Sequence, residues 1–88
     1  MKLKYVEVVW VDSTVKDGWY YPDEVKKLKP AEITTIGYLY SKNKDTVILV
    51  TSVSGEGEKL QYANPYLIPT RCVREIRDIQ NGKKTKAS

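Results

Sequence analysis

Hydrophobic and polar residues alternate near the start of the chain, in the segment KLKYVEVVWVDS, as they do in a β-strand. With a period of two, Val6, Val8 and Trp10 share one face of that strand. Val9 and Val11 share the opposite face. A strand that is apolar on both faces is typical of a closed or strongly curved sheet, in which each face is covered for part of its length.

The alternation stops between residues 12 and 31. The stretch DSTVKDG predicts a loop, and YPDEVKKLKP predicts a helix of about two turns. Pro22 suits the first helical position, and the acidic residues Asp23 and Glu24 suit the positive end of the helix dipole. Because Pro30 ends the helix, the connection between the first two strands holds one short helix.

Four further segments are rich in β-branched and aromatic residues and are bounded by turn residues, which predicts four more strands. They are EITTIGYLYS, TVILVTSV, LQYANPYLI and CVREIRDI, separated by the turns KNKD, SGEGEK and PTR. The unbroken apolar centre of TVILVTSV favours a middle strand, and Pro65 predicts a bend or an end within LQYANPYLI. Short strands in a chain of 88 residues must curl to bury a core, which predicts a mainly-β, partly open barrel.

The segment IPTRCVREI resembles two families of small barrels. It has the spacing that in SH3 domains marks a single 3₁₀ turn before the final strand, at Pro69, Thr70, Val73 and Ile76. In Sm and Sm-like proteins the corresponding apolar positions are those of Ile68, Val73 and Ile76. The resemblance implies a five-stranded SH3/Sm-like partly open barrel. Cys72 replaces the ligand-contacting aromatic of SH3 domains, and Pro69 and Thr70 replace the Arg-Gly pair of the Sm RNA pocket.

A second resemblance covers more of the chain and is to small phage-encoded proteins of unassigned role. The segments that carry it are VVWVDS, DGW, PAEITTIGYLYSKNKDTVILVTS and IPTRCVREI. At least one cyanophage-related member of that group looks Sm-like and oligomeric. The resemblance implies a phage origin and a small barrel that forms a homo-oligomer, with a ring as one form, and it implies no catalytic residues.

The charge distribution divides the chain into one domain, residues 1–81, and a basic flexible tail, residues 82–88. The whole chain has 15 Lys and Arg against 11 Asp and Glu, a net charge of +4. Three of the lysines, Lys83, Lys84 and Lys86, are in the tail. The domain is therefore close to neutral, and its charge by itself does not indicate a nucleic-acid-binding protein.

No apolar run reaches the length of about 18 residues that a membrane-spanning helix needs. The start of the chain alternates with charge and has no small-residue cleavage site, so it is not typical of a signal peptide. We therefore expect a cytoplasmic protein without a membrane partner, in the host cytoplasm if a phage encodes it.

The sequence excludes several kinds of catalytic site. It has no histidine and one cysteine, so a Ser-His-acid triad and a structural zinc site are ruled out. The carboxylates near the aromatic residues can hold a hard cation or act as an acid/base pair, but we interpret them as loop and helix-start residues; they are Asp12, Asp17, Asp23 and Glu24. We predict no enzymatic activity, no cofactor and no metal, and we interpret Cys72 as a small buried hydrophobic residue.

We predict a binding role, with single-stranded nucleic acid slightly favoured; the alternatives are a partner protein such as a host factor, and self-assembly through exposed strand edges. The candidate contact residues for nucleic acid or a partner are aromatic or basic: Trp19, Tyr20, Tyr21, Tyr62, Tyr66, Arg71, Arg74, Lys83 and Lys84. Trp19 is expected to pack over one end of the barrel near Trp10, with Val25 and Leu28 of the helix. At least one of Tyr20 and Tyr21 is then exposed.

Overall fold

A computed structural model describes residues 3–79 of the chain. These residues form seven β-strands, one α-helix and two 3₁₀ turns. The strands are β1 (Lys4–Asp12), β2 (Ala31–Lys42), β3 (Thr46–Val50), β4 (Ser52–Ser54), β5 (Gln61–Ala63), β6 (Tyr66–Pro69) and β7 (Val73–Asp78). The helix α1 (Pro22–Val25) lies between β1 and β2, and the 3₁₀ turns are Gly57–Lys59 and Thr70–Cys72. None of these helical segments, among the described residues, is long and apolar enough to cross a membrane.

Five strands form one antiparallel sheet in the order β6-β3-β2-β1-β7, and β4 pairs with β5 in a separate hairpin. The predicted mainly-β class and the short helix between the first two strands are confirmed. Within residues 3–79 no pairing joins β6 to β7, so the sheet does not close on itself. The outer long edge of β6 and that of β7 therefore have no paired strand in the described part of the chain.

The two predicted strands TVILVTSV and LQYANPYLI are each divided in the structure, which gives seven strands in place of five. Thr51 separates β3 from β4, and Asn64 and Pro65 separate β5 from β6. Asn64 adopts a left-handed backbone conformation with φ of 51°, which cannot continue a strand. Its side-chain amide donates a hydrogen bond to Thr51 Oγ1 at 3.1 Å, so the two breaks lie side by side and the hairpin bends as a unit. The predicted interruption near Pro65 is confirmed.

The core is formed by alternate residues of the sheet strands, all of them nearly inaccessible to solvent: Val6, Val8, Trp10, Val47, Leu49 and Ile68. The prediction that Val6, Val8 and Trp10 share one face of β1 is thereby confirmed, and Val9 and Val11 on the other face are half-buried. β2 passes close to β3 at Gly37, where an added Cβ would lie 3.1 Å from the carbonyl oxygen of Val50. A side chain at that position would push the two strands apart.

The helix α1 is shorter than expected, with a single turn from Pro22 to Val25 in place of two. Hydrogen bonds from Lys27 N to Glu24 O and from Leu28 N to Val25 O continue as isolated turns, not as a regular helix. None of its residues is buried, so no packed apolar face sustains a longer helix.

Candidate binding surfaces

The most exposed aromatic residues of the chain lie in residues 17–25, which we call the aromatic loop. The side chain of Trp19 is fully exposed, and that of Tyr21 is 78% exposed. The expectation that Trp19 packs near Trp10 is therefore wrong. The Trp10 ring already has a neighbour, because Tyr66 meets it edge-on with ring centroids 6.0 Å apart. The one-turn helix also presents no buried surface on which Trp19 can rest.

The aromatic loop is held by local hydrogen bonds. The Tyr20 hydroxyl donates to the carbonyl oxygen of Asp17 at 2.8 Å, which closes the loop beneath Trp19. The Glu24 carboxylate accepts a hydrogen bond from Tyr21 N at 2.8 Å, and this contact fixes the start of α1. Tyr20 lies against a shallow groove with Val25 and Leu28. Trp19 and Tyr21 are thus the outward-facing pair, which confirms that at least one of the two tyrosines is exposed.

The other two predicted tyrosines lie away from the aromatic loop, on opposite faces of the sheet. Tyr66 packs on Trp10 beside the core, whereas Tyr62 meets Tyr40 with ring centroids 5.0 Å apart. The Tyr40–Tyr62 pair lines an open groove of about 720 Å³, together with Ile48, Val50 and Leu60. Tyr40 was not among the predicted contact residues, although a period of two already places it on the face of β2 opposite to Leu39, which packs on the core.

The predicted arginines do not form one patch. Arg71 lies in the second 3₁₀ turn, outside any strand, and Arg74 lies at the start of β7, where the register with β1 shifts. Arg77 makes an ion pair of 2.9 Å with Glu75 and a longer one of 3.9 Å with Glu7. Lys83 and Lys84 lie outside the described residues.

One small groove combines two basic residues. It has a volume of about 450 Å³ and lies between β7 and the turn that joins β2 to β3, and its lining includes Lys42, Arg74 and the acidic Glu75. Asn43 and Thr70 contribute polar groups, and Val47 contributes an apolar surface. Residues 3–79 as a whole contain 11 Lys and Arg and 11 Asp and Glu, so the local pair of cations is set in a neutral surface.

The carboxylates near the aromatic loop are engaged in local contacts. Asp12 accepts a hydrogen bond from Ser13 N at 2.8 Å, and Asp23 lies 3.7 Å from the Lys26 ammonium. Among residues 3–79, no group of three or more cysteine or acidic side chains is placed to hold a metal ion. Cys72 is half-buried and packs against the core cluster.

Comparison with protein-family models, curated proteins and solved structures gives no match for this chain. The surfaces described above therefore have to be interpreted from their own chemistry. The predicted phage origin, cytoplasmic location and homo-oligomer stay predictions.

Proposed function

We propose that this chain is a non-enzymatic binding protein of phage type, built on an SH3/Sm-like partly open barrel, which binds a partner protein through its aromatic loop. The curvature of the sheet supports the barrel. β1 and β6 are three strands apart, about 14 Å in a flat sheet, yet the Trp10 and Tyr66 rings are 6.0 Å apart. Val73 and Ile76 of β7 also pack on the cluster that contains Ile68 of β6, at the other end of the sheet.

The observation that carries the proposed binding role is the full exposure of Trp19 on a loop that is already held in place. Tryptophan and tyrosine dominate the binding energy of protein interfaces. A loop that is held before binding loses less conformational entropy when it binds. Trp19 and Tyr21 therefore have the features of a pre-formed anchor for an apolar pocket on a partner. A protein is favoured over a polyanion because residues 3–79 have balanced charges.

Site-specific photo-crosslinking tests this proposal. A benzophenone amino acid replaces Tyr21, and a matched control carries the same group at Leu67, which is also exposed and lies in β6. In extract of the expressing cell, we expect one defined protein adduct at position 21 and not at position 67. Trp19→Ala in the crosslinking chain should remove that adduct. Equal labelling from both positions, or an adduct that persists without Trp19, would reject the aromatic loop as the binding site.

Single-stranded nucleic acid is a second candidate ligand, favoured by the groove in which two cations, Lys42 and Arg74, stand against one acid, Glu75. Fluorescence anisotropy with labelled single-stranded RNA and DNA distinguishes binding by this groove from binding by the tail. Residues 1–88 and 1–81 are titrated at low and at physiological salt, because contacts made only by a basic tail are lost with added salt. Binding by residues 1–81 at physiological salt, weakened by Arg74→Ala, would support this ligand. If residues 1–88 bind and residues 1–81 do not, the nucleic acid is bound by the tail.

A further inference from the structure

One edge of β7 is unpaired within residues 3–79, and its backbone groups are arranged to accept another strand. Ile79 N donates to Tyr5 O at 3.1 Å, which makes Tyr5 and Ile79 a hydrogen-bonded pair of the antiparallel ladder. Hydrogen-bonded and non-hydrogen-bonded pairs alternate along the ladder. The pair Val8–Ile76 lies three positions from Tyr5–Ile79, so it is a non-hydrogen-bonded pair. The N–H and C=O groups of Ile76 therefore point away from β1, towards the unpaired edge.

The charges along β7 are self-complementary. The strand reads Arg74, Glu75, Ile76, Arg77, Asp78. Read backwards, each cation is replaced by an anion and each anion by a cation, with Ile76 at the centre. A strand guarded against association normally carries charges that repel a second copy of itself. The charges of β7 instead attract a second copy of β7 when the two copies run antiparallel.

We propose that two copies of this chain form a two-fold symmetric dimer by antiparallel pairing of β7 with the partner's β7, centred on Ile76. Each copy's Ile76 exchanges both backbone hydrogen bonds with the partner's Ile76. Glu75 lies opposite the partner's Arg77, and Arg77 lies opposite the partner's Glu75. The sheets of the two copies then continue through the interface as one sheet.

The register of this pairing follows from the charges. Hydrogen bonds form only in registers that bring the outward-pointing backbone groups of the two strands face to face. Each allowed register has one residue on the two-fold axis, opposite the same residue of the partner, and neighbouring registers differ by one residue in that position. A centre at Glu75 places that carboxylate opposite the same carboxylate of the partner. A centre at Arg77 likewise places two guanidinium groups opposite each other. Like charges directly opposite are destabilising, so the register centred on Ile76 is favoured over both of its neighbours.

The side chains that meet across the interface are already ordered on one face. Glu75 and Arg77 form a 2.9 Å ion pair, yet each side chain keeps about half of its surface exposed, at 53% and 52%. Each can therefore accept a second partner of opposite charge. Glu7 lies 3.9 Å from the same guanidinium, so pairing joins two three-membered clusters into one network.

The β6 edge is a poorer partner for β7 than a second β7. The strand β6 has four residues, none of them charged, and ends at Pro69, which lacks a backbone N–H. Head-to-tail pairing of β6 with β7 would produce a ring, whereas β7 with β7 closes after two copies. The charge pattern thus favours a dimer over the ring that the resemblance to Sm-like proteins implies.

Complementary charge reversals test the proposal. Sedimentation equilibrium on the full chain measures the dimer dissociation constant for wild type, for Glu75→Arg, for Arg77→Glu, and for an equimolar mixture of the two variants. In a dimer of either variant alone, like charges face each other at both 75–77 pairs. In the mixed dimer, opposite charges face each other again at both pairs. Glu58→Arg, in the first 3₁₀ turn and away from β7, is the control for net charge.

We expect wild type to dimerise, and each reversal to weaken the dimer by at least about tenfold, equivalent to about 1.4 kcal/mol. The mixture should recover most of the lost affinity, while Glu58→Arg leaves it unchanged. Circular dichroism verifies that each variant is folded. A wild-type monomer up to the solubility limit, a trimer or larger ring, a mixture no tighter than its components, or an equal effect of Glu58→Arg would each overturn the proposal.

Discussion

The indole Nε1 of Trp10 donates a hydrogen bond to Thr35 Oγ1 at 3.0 Å, from β1 to the neighbouring strand β2. Trp10 is buried in the core, so this contact provides the polar partner that its N–H group needs. Thr35→Val keeps the shape of the side chain and leaves the N–H without that acceptor. We expect a loss of about 1–3 kcal/mol in the free energy of unfolding, measured by urea denaturation.

Thr34→Val is the matched control, because Thr34 is exposed on the opposite face of the same strand. It should change the free energy of unfolding by no more than about 0.5 kcal/mol. Equal effects of the two substitutions would show that the hydrogen bond does not contribute to stability.

The alternation of β6 predicts opposite outcomes for two neighbouring residues. Ile68 is fully buried in the core cluster, whereas Leu67 is 62% exposed. Ile68→Ala should cost about 2–5 kcal/mol, because it removes buried methyl groups and leaves a cavity. Leu67→Ala should cost far less, within about 0.5 kcal/mol. Thermal unfolding followed by circular dichroism compares the stability of the two variants. A larger loss of stability for Leu67→Ala would mean that Leu67, and not Ile68, faces the core.

Tryptophan fluorescence reports the different environments of Trp10 and Trp19. Iodide should quench the emission of Trp19, which is fully exposed, and hardly affect that of Trp10, which is buried. In Trp19→Phe we therefore expect a blue-shifted emission that resists quenching, with little change in the unfolding temperature. A large loss of stability in this variant would instead indicate that Trp19 packs against the domain.

Asn43 organises the turn between β2 and β3. Its Oδ1 accepts hydrogen bonds from Asp45 N at 2.8 Å and from Thr46 N at 2.9 Å, and its carbonyl oxygen accepts one from Thr70 Oγ1 at 2.7 Å. Asn43→Ala removes the side-chain acceptor and should cost about 1 kcal/mol in the free energy of unfolding. Asn43→Asp keeps an acceptor and should recover most of that loss, and Lys44→Ala in the same turn should have little effect.

Much of the strand pattern was predictable because it depends on local alternation. Val6, Val8 and Trp10 were expected on one face of β1, and all three are in the core. The interruption near Pro65 was also expected, because proline cannot donate to a ladder. The break at Thr51 was not expected, since Thr is a favoured strand residue and the break follows from contacts with Ala63 and Asn64 on the opposite strand.

The candidate binding residues were less predictable. Trp19, Tyr20 and Tyr21 are adjacent in the sequence, and the pattern did not distinguish the anchored Tyr20 from its outward neighbours. Of the two candidate arginines, Arg74 lies in β7 but Arg71 lies in the preceding 3₁₀ turn, because β7 begins only at Val73. The groove at Tyr40 was not predictable from β2 alone, because Tyr62 of a different strand forms its other side.

By itself, the sequence determined most strand segments, the grouping of Val6, Val8 and Trp10 on one face of β1, and the absence of histidine-based chemistry, because each depends on residue type or on a period of two. Only the tertiary structure decided that Trp19 is exposed while Trp10 is buried. Both tryptophans are equally apolar, but Trp10 lies on the face of β1 that the core covers, with Tyr66 edge-on against its ring, whereas Trp19 lies in a loop outside the sheet. The β7 edge that stays unpaired within residues 3–79 was likewise decided by the order of strands in the sheet, since an edge exists only once the other strands have found their neighbours.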